Sequence, residues 1–175
     1  NNLNVGVVKF LSYLIGQQSS TIGLLFMPLW MMEGDATMSE TQASSFGRGK
    51  QPRFSLEFRA MGNIADRFRN TDKIFSGSYR DYIPDHYQLG YQMVAHGNQL
   101  AGRIMANDMA ALGPRRPWMI VSENWRMKHL FGFSTRELFR ETFSYLADFW
   151  ATIPTPDDSS TRLNAPRMES YTTYA

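Results

Sequence analysis

A mainly α-helical fold, with room for one short strand, is what the sequence predicts, and three features predict it. Apolar residues recur at three- and four-residue spacing through much of the chain, as they do on the buried face of a helix. Start and stop signals punctuate that spacing at Pro84, at Gly113-Pro114 and at Ser134-Thr135-Arg136-Glu137. The most apolar stretch, Leu3 to Met32, divides into two runs that are each too short to cross a bilayer and suit buried helices instead.

Taken in order, Lys9 is the only charge between Leu3 and Met32, and Gln17-Gln18-Ser19-Ser20 separates the two apolar runs, so two helical segments joined by a turn are expected. A secretory leader is the runner-up there; it lacks a basic segment before the run and a small-residue cleavage pattern after it. Pro28 interrupts the second run, and from Trp30 to about Ser44 the pattern is amphipathic. Ser45 to Pro52 is a glycine-rich basic loop whose charges are expected to be solvated. A phosphate cradle would need a preceding strand and a Gly-Lys-Ser/Thr ending, whereas Gly49-Lys50-Gln51 follows a helical segment. Phe54, Leu56, Phe58, Met61, Ile64, Ala65 and Phe68 mark the next helix.

After the Gly- and Tyr-bearing segment Ser76 to Pro84, the proline suits the first turn of a helix from about Asp85 to His96, with Tyr87, Gly90, Tyr91 and Val94 on one face and a break at Gly97. A further helix is expected to stop at Leu112, because Gly113-Pro114 joins a left-handed cap residue to one that cannot continue the hydrogen-bond ladder. Arg115 to Phe133 is ambiguous, with Trp118-Met119-Ile120-Val121 reading as a strand or as a helix start. Ser134 to Glu137 is a capping box, and Leu138, Phe139, Thr142, Phe143, Leu146, Phe149 and Trp150 form the buried stripe of a helix that ends before Pro154. Residues 1–152 therefore read as one helical domain, expected to be truncated at its N-terminus because the first residue is Asn1 and not Met and an apolar stretch begins within a few residues. Residues 153–175, with Pro154, Pro156 and Asp157 to Ser160, read as a linker toward a further domain.

Composition narrows the function classes. At 43% apolar residues, 175 residues are enough for one domain with its own core. Eighteen Lys and Arg against 16 Asp and Glu leave a formal charge of only +2, too little for a broad field that would hold nucleic acid or anionic lipid. Without cysteine there are no disulfides, thiolate zinc sites or thiol nucleophiles. The eleven methionines show no metal-thioether spacing and suit adaptable core filling.

Chemistry is most concentrated in Pro28 to Thr37. A carboxylate in so apolar a context, here Glu33, needs a partner, a proton or a metal, because burying a bare charge costs several kcal/mol. Gly34 beside it removes a side chain where another helix or a ligand could approach. Thr37, one turn on, can orient the carboxylate from behind. The plain alternative is a surface glutamate near a helix N-terminus.

Trp30-x-x-Glu33-Gly34-x-Ala36 resembles the distal zinc-ligand motif of the gluzincin metallopeptidases, in which the glutamate completes a site begun by an HExxH helix. Tyr87-Gln88-Leu89-Gly90 is similar to the Tyr-x-x-Gly helix motif of the aminopeptidase N-like branch, where the tyrosine hydroxyl stabilises the oxyanion. The stretch from Pro28 to about Trp150, including Tyr82 to Tyr91, looks like the peptidase-like domain of secreted bacterial proteins that carry a β-propeller after it, and Glu169 to Tyr174 resembles the lead into that propeller. The resemblance implies the helical C-terminal half of a gluzincin-like domain, with Glu33 as zinc ligand, Tyr87 or its rival Tyr91 as oxyanion donor, and Thr37 and His86 as supporting groups. It also implies a peptide or protein substrate, a following β-propeller as partner and a periplasmic or secreted location.

The departure from the pattern is the missing HExxH. His86, His96 and His129 are the only histidines, and no two stand four residues apart, the spacing that puts two imidazoles on one helical face. Zinc is therefore expected only where an upstream HExxH helix is present, and the chain alone is expected to be inert. The competing readings are a non-catalytic peptidase-like platform for binding or scaffolding, and a helical domain that associates with membranes through its first thirty residues.

Overall fold

The computed structural model describes residues 27–62, 64, 71–115 and 122–153. Seven α-helices follow one another, and no strand occurs among the described residues. They are α1 (Leu29–Ala43), α2 (Pro52–Ala60), α3 (Thr71–Ser76), α4 (His86–Ala101), α5 (Met105–Arg115), α6 (Glu123–Phe131) and α7 (Thr135–Ala151), with a single 3-10 turn at Arg48–Lys50 between the first two. The expected segments before Met27, the ambiguous Trp118 to Val121 run and the linker beyond Ile153 lie outside the described residues.

Helix α1 begins directly after Pro28, whose fixed φ and absent amide suit a helix boundary. Its buried positions are Trp30, Met31, Gly34, Thr37 and Thr41, so the stripe that packs inward is made mostly of small and hydroxylated residues. Thr37 and Thr41 satisfy their buried hydroxyls by donating to the carbonyls one turn back, Glu33 O at 2.8 Å and Thr37 O at 2.7 Å. That lean face exists to meet α4. A Cβ built on Gly34 would stand 2.3 Å from the carbonyl carbon and oxygen of Gly90, and one on Gly90 would stand 2.1 Å from the Trp30 oxygen. The two helices therefore touch backbone to backbone, which only this pair of glycines allows.

Around this pair the core closes on aromatic rings and methionines. Trp30, Phe75, Phe139, Phe143 and Phe58 form a continuous chain of rings, with successive centroids 6.2, 6.2, 5.0 and 5.1 Å apart, that joins α1, α3, α7 and α2. Each such contact is worth about 0.5–1.5 kcal/mol beyond area burial. Met31, Met93, Met105, Met109 and Met127 have no exposed surface, so these methionines are core filling as expected.

Several sequence expectations shift. The break at Gly97 does not occur: α4 runs through it to Ala101 and ends at Gly102 in the left-handed region, φ 64°. Gly97 instead leaves room for Met105 and Leu138, whose side-chain atoms would lie 2.2 and 3.2 Å from a Cβ there, and that packing outweighs the roughly 1 kcal/mol that a helical glycine costs. Helix α5 passes Gly113-Pro114 and ends at Arg115, since a proline so near the terminus removes only one ladder bond. The helix marked from Phe54 onward stops at Ala60, with Gly62 at φ 71° turning the chain. Pro84 stands before the cap Asp85 and not in the first turn. On α4 the buried face is Leu89, Gly90, Met93, Val94 and Gly97, which leaves Tyr87 and Tyr91 at its margin. The Ser134–Glu137 capping box is present in both directions. Of the α7 stripe, Leu138, Phe139, Thr142 and Phe143 are buried, whereas Phe149 is 51% exposed.

Two measurements test this account. Gly90→Ala is expected to lower stability by about 3 kcal/mol, read as a lower urea midpoint at unchanged slope, because the new methyl meets backbone that cannot step aside. His96 supplies the second. Both its ring nitrogens are buried without a hydrogen-bond partner, and its ring stacks on Tyr145 at 4.9 Å. Burial holds its pKa below the usual 6.5, with the charge of Glu141 pulling partly back. The unfolded chain thus takes up a proton that the folded chain resists, so stability is full above the unfolded pKa and is lost as pH falls through it toward the lower folded value. Urea midpoints should fall between about pH 7.5 and about pH 5, and His96→Phe, which keeps the stack, should flatten part of that slope.

Candidate functional site

The sequence-predicted site residues gather where the start of α1, the 3-10 turn and the start of α4 meet. The turn is held by close approach. A Cβ on Gly47 would lie 2.3 Å from the Thr41 Cα, and one on Gly49 would lie 2.4 Å from the Tyr91 ring. The Gly49 amide donates to the Thr41 hydroxyl at 3.0 Å, and Lys50 Nζ donates to the Ser44 carbonyl at 2.8 Å. The glycines of this loop therefore serve helix contact and not a phosphate.

Arg48 sits in that turn. Its charge stays exposed, as expected of this loop, and its guanidinium bonds Glu40 Oε2 at 2.7 and 2.8 Å and lies 5.2 Å above the centroid of the Tyr87 ring. The hydrogen bond with Glu40 raises its pKa, opposed by partial desolvation, and the charges of Glu40, Tyr87 and Glu33 add to the rise. The same bond lowers the pKa of the exposed Glu40 carboxyl. Flanking glycines were the only sequence signal that this arginine is held in place.

Glu33 is half-buried and not sunk in the core. Its carboxylate makes no hydrogen bond or ion pair with any described residue, and the field of Arg48 is its recorded electrostatic partner. Thr37 does not orient that carboxylate: its hydroxyl is used on the Glu33 backbone carbonyl. Within the Trp30-x-x-Glu33-Gly34-x-Ala36 segment, the Trp30 indole donates to Glu123 Oε1 at 2.9 Å, Gly34 admits α4, and Ala36 faces solvent.

Tyr87 is the second residue of α4. Its amide is capped by Asp85 Oδ1 at 3.2 Å, and its ring is stacked by His86 at 4.6 Å on a centroid basis. His86 Nδ1 lies 3.2 Å from that same Asp85 oxygen, which makes it a helix-start group. Tyr91, one turn on, has its ring tip against Gly49 and an edge contact with Phe54 at 5.7 Å, and burial raises its pKa. Tyr91 is thus engaged in packing, whereas Tyr87 stands at the margin beside Arg48.

The three histidines stay apart. His86 stacks on Tyr87, His96 on Tyr145 and His129 on Trp125. No group of three His, Asp or Glu side chains that could hold a metal ion occurs among the described residues. Glu33 offers one carboxylate, and Arg48 brings positive charge to the same place, so the residues described do not fit a zinc ion by themselves. No described helix is long and apolar enough to cross a membrane. No protein-family model, curated protein or solved structure matches the chain.

A check on the geometry is Gly49→Ala, which should displace Tyr91 and with it the turn that presents Arg48. The expected loss is about 1–3 kcal/mol of stability, together with altered chemical shifts of the Tyr87 and Tyr91 rings. Unchanged rings would mean that the loop is not held by this contact.

Proposed function

We propose that the chain is the glutamate- and tyrosine-bearing helical half of a peptidase-like domain of the gluzincin type, inert as it stands. What supports this reading is one observation. Glu33 and Tyr87, the two residues that the motif resemblance singles out, flank a single guanidinium at the mouth of the α1–α4 contact, and the Glu33 carboxylate has no structural bond among the described residues. Glu33 would contribute one carboxylate ligand to a hydrolytic zinc centre whose imidazoles come from an HExxH helix that this sequence does not contain. Tyr87 would offer its hydroxyl to a developing oxyanion. Peptide substrates, the adjoining β-propeller and a location outside the cytoplasm belong to the same proposal.

Arg48 favours a second reading, a non-catalytic peptidase-like platform. A fixed cation within the field of Glu33 opposes a divalent ion at the same carboxylate and supplies a charge for holding a protein partner.

Zinc content separates the two. A longer form of the protein that includes an HExxH upstream of Asn1 should retain about one zinc per chain after dialysis and lose it on Glu33→Gln. Unchanged zinc in that variant removes the ligand assignment, and absence of any upstream HExxH leaves the platform reading. Glu33→Gln should itself change stability by no more than about 0.5 kcal/mol, because no bond is broken. In the active form Tyr87→Phe should lower kcat on the order of 100-fold at similar KM. A parallel loss in affinity would assign Tyr87 to packing.

A further inference from the structure

A cleft opens at the start of α1, next to the Glu33–Tyr87 site and sharing His86 with it, but neither Glu33 nor Tyr87 is among its described lining residues. Its volume is about 500 Å³, and it lies between the start of α1, the end of α3 and the segment leading into α4. Trp30, Phe75, Ile83 and Leu89 form its apolar walls. Glu123 and Asp85 are its two carboxylates, and neither Lys nor Arg is among the described lining residues. In a chain of formal charge +2, that makes an anionic recess in a mildly basic surface.

We infer that this cleft binds an organic monocation, an ammonium group carried on an aromatic or alkyl stem. Its size falls in the usual range for small-ligand sites, roughly 300–1,000 Å³. The stem would lie on the ring walls and the ammonium beside Glu123. That carboxylate is held in place, because the Trp30 indole and the Thr135 hydroxyl both donate to its Oε1, at 2.9 and 2.6 Å. Both of these bonds go to Oε1 and neither to Oε2. Two helix ends and Arg126 act against the recess. Asp85 caps α4 and Glu123 opens α6, so each offsets a helix end carrying roughly half a positive charge. Arg126, one turn along α6, lies within the field of Glu123 but outside the lining. His86 at the rim points Nδ1 at Asp85. With Arg126 outside the lining, Asp85 and Glu123 are the formally charged side chains among the described lining residues, beside apolar walls, which suits a cation carried on an apolar stem.

Three probes that share a phenylethyl stem test this by calorimetry on the chain as it is: 2-phenylethylamine, 2-phenylethanol and 3-phenylpropionate. The amine is expected to bind at least about fivefold more tightly than the alcohol, and the acid not measurably, the preference fading as salt is raised. Glu123→Gln keeps an Oε1 acceptor for Trp30 and Thr135 while removing the charge. It should therefore bring amine and alcohol to within about twofold in a chain that stays folded, with a small drop in thermal stability from the lost charge at the start of α6. Asp85→Asn, which keeps the helix cap, gives the same readout should the first variant fail to fold. Equal binding of the three probes, no binding of the amine at millimolar concentration, or a charge preference that survives both variants would overturn the assignment.

Discussion

The structure depends on two backbones touching. Where Gly34 meets Gly90 there is no side chain between α1 and α4, and this closeness sets the rest of the molecule. It draws the carbonyl of Trp30 against α4, and so places the Trp30 ring beside Phe75 at one end of the aromatic chain that crosses the core. Beyond the crossing the inward face of α1 continues with Thr37 and Thr41, which return their hydroxyls to their own helix. A tight crossing of this kind gains dispersion contacts along both helices, and it costs whatever freedom the sequence would otherwise have had at the contact.

The loop after α1 extends the same logic. Gly47 and Gly49 let the 3-10 turn lie on Thr41 and on the tip of Tyr91, and Arg48 between them reaches Glu40 and the face of Tyr87. An exposed ion pair is worth little by itself, about 0–1 kcal/mol. Its value here is positional. A guanidinium held by a turn, a carboxylate and a ring is a fixed charge, and Glu33 feels that charge without bonding to it.

Much of the helical layout was legible in the sequence, and the failures share a cause. The Ser134–Glu137 box announced α7 because capping chemistry is local, and the buried methionines could be read from composition. Gly97 and Gly113-Pro114 misled because glycine and proline were read as local stop signals, whereas the partners packed on α4 decide the first case and nearness to the helix end the second. The tyrosine face was misplaced by one position on the helix wheel, since Gly90 and Leu89 mark the true contact and the larger rings drew attention away from it. For the site, Glu33 and Tyr87 were visible as motif residues, but Arg48 was not: nothing in a basic glycine-rich loop tells which of its charges will be pinned until the helices that pin it are in place.

The residues of Trp30 to Ala36 can be sorted by what each already does. Trp30 reaches across to Glu123, which also ties α6 to the start of α7, and Gly34 makes the helix crossing possible, so both would be required of a protein with no chemistry at all. Glu33 is different, for it is half-buried as a residue and its carboxylate bonds to none of the described residues. Desolvation of an ion is costly in proportion to its burial, and a glutamine or an apolar residue would pack there with less penalty. That leaves the Glu33 carboxylate as the group of this segment that the proposed zinc centre or binding surface would use.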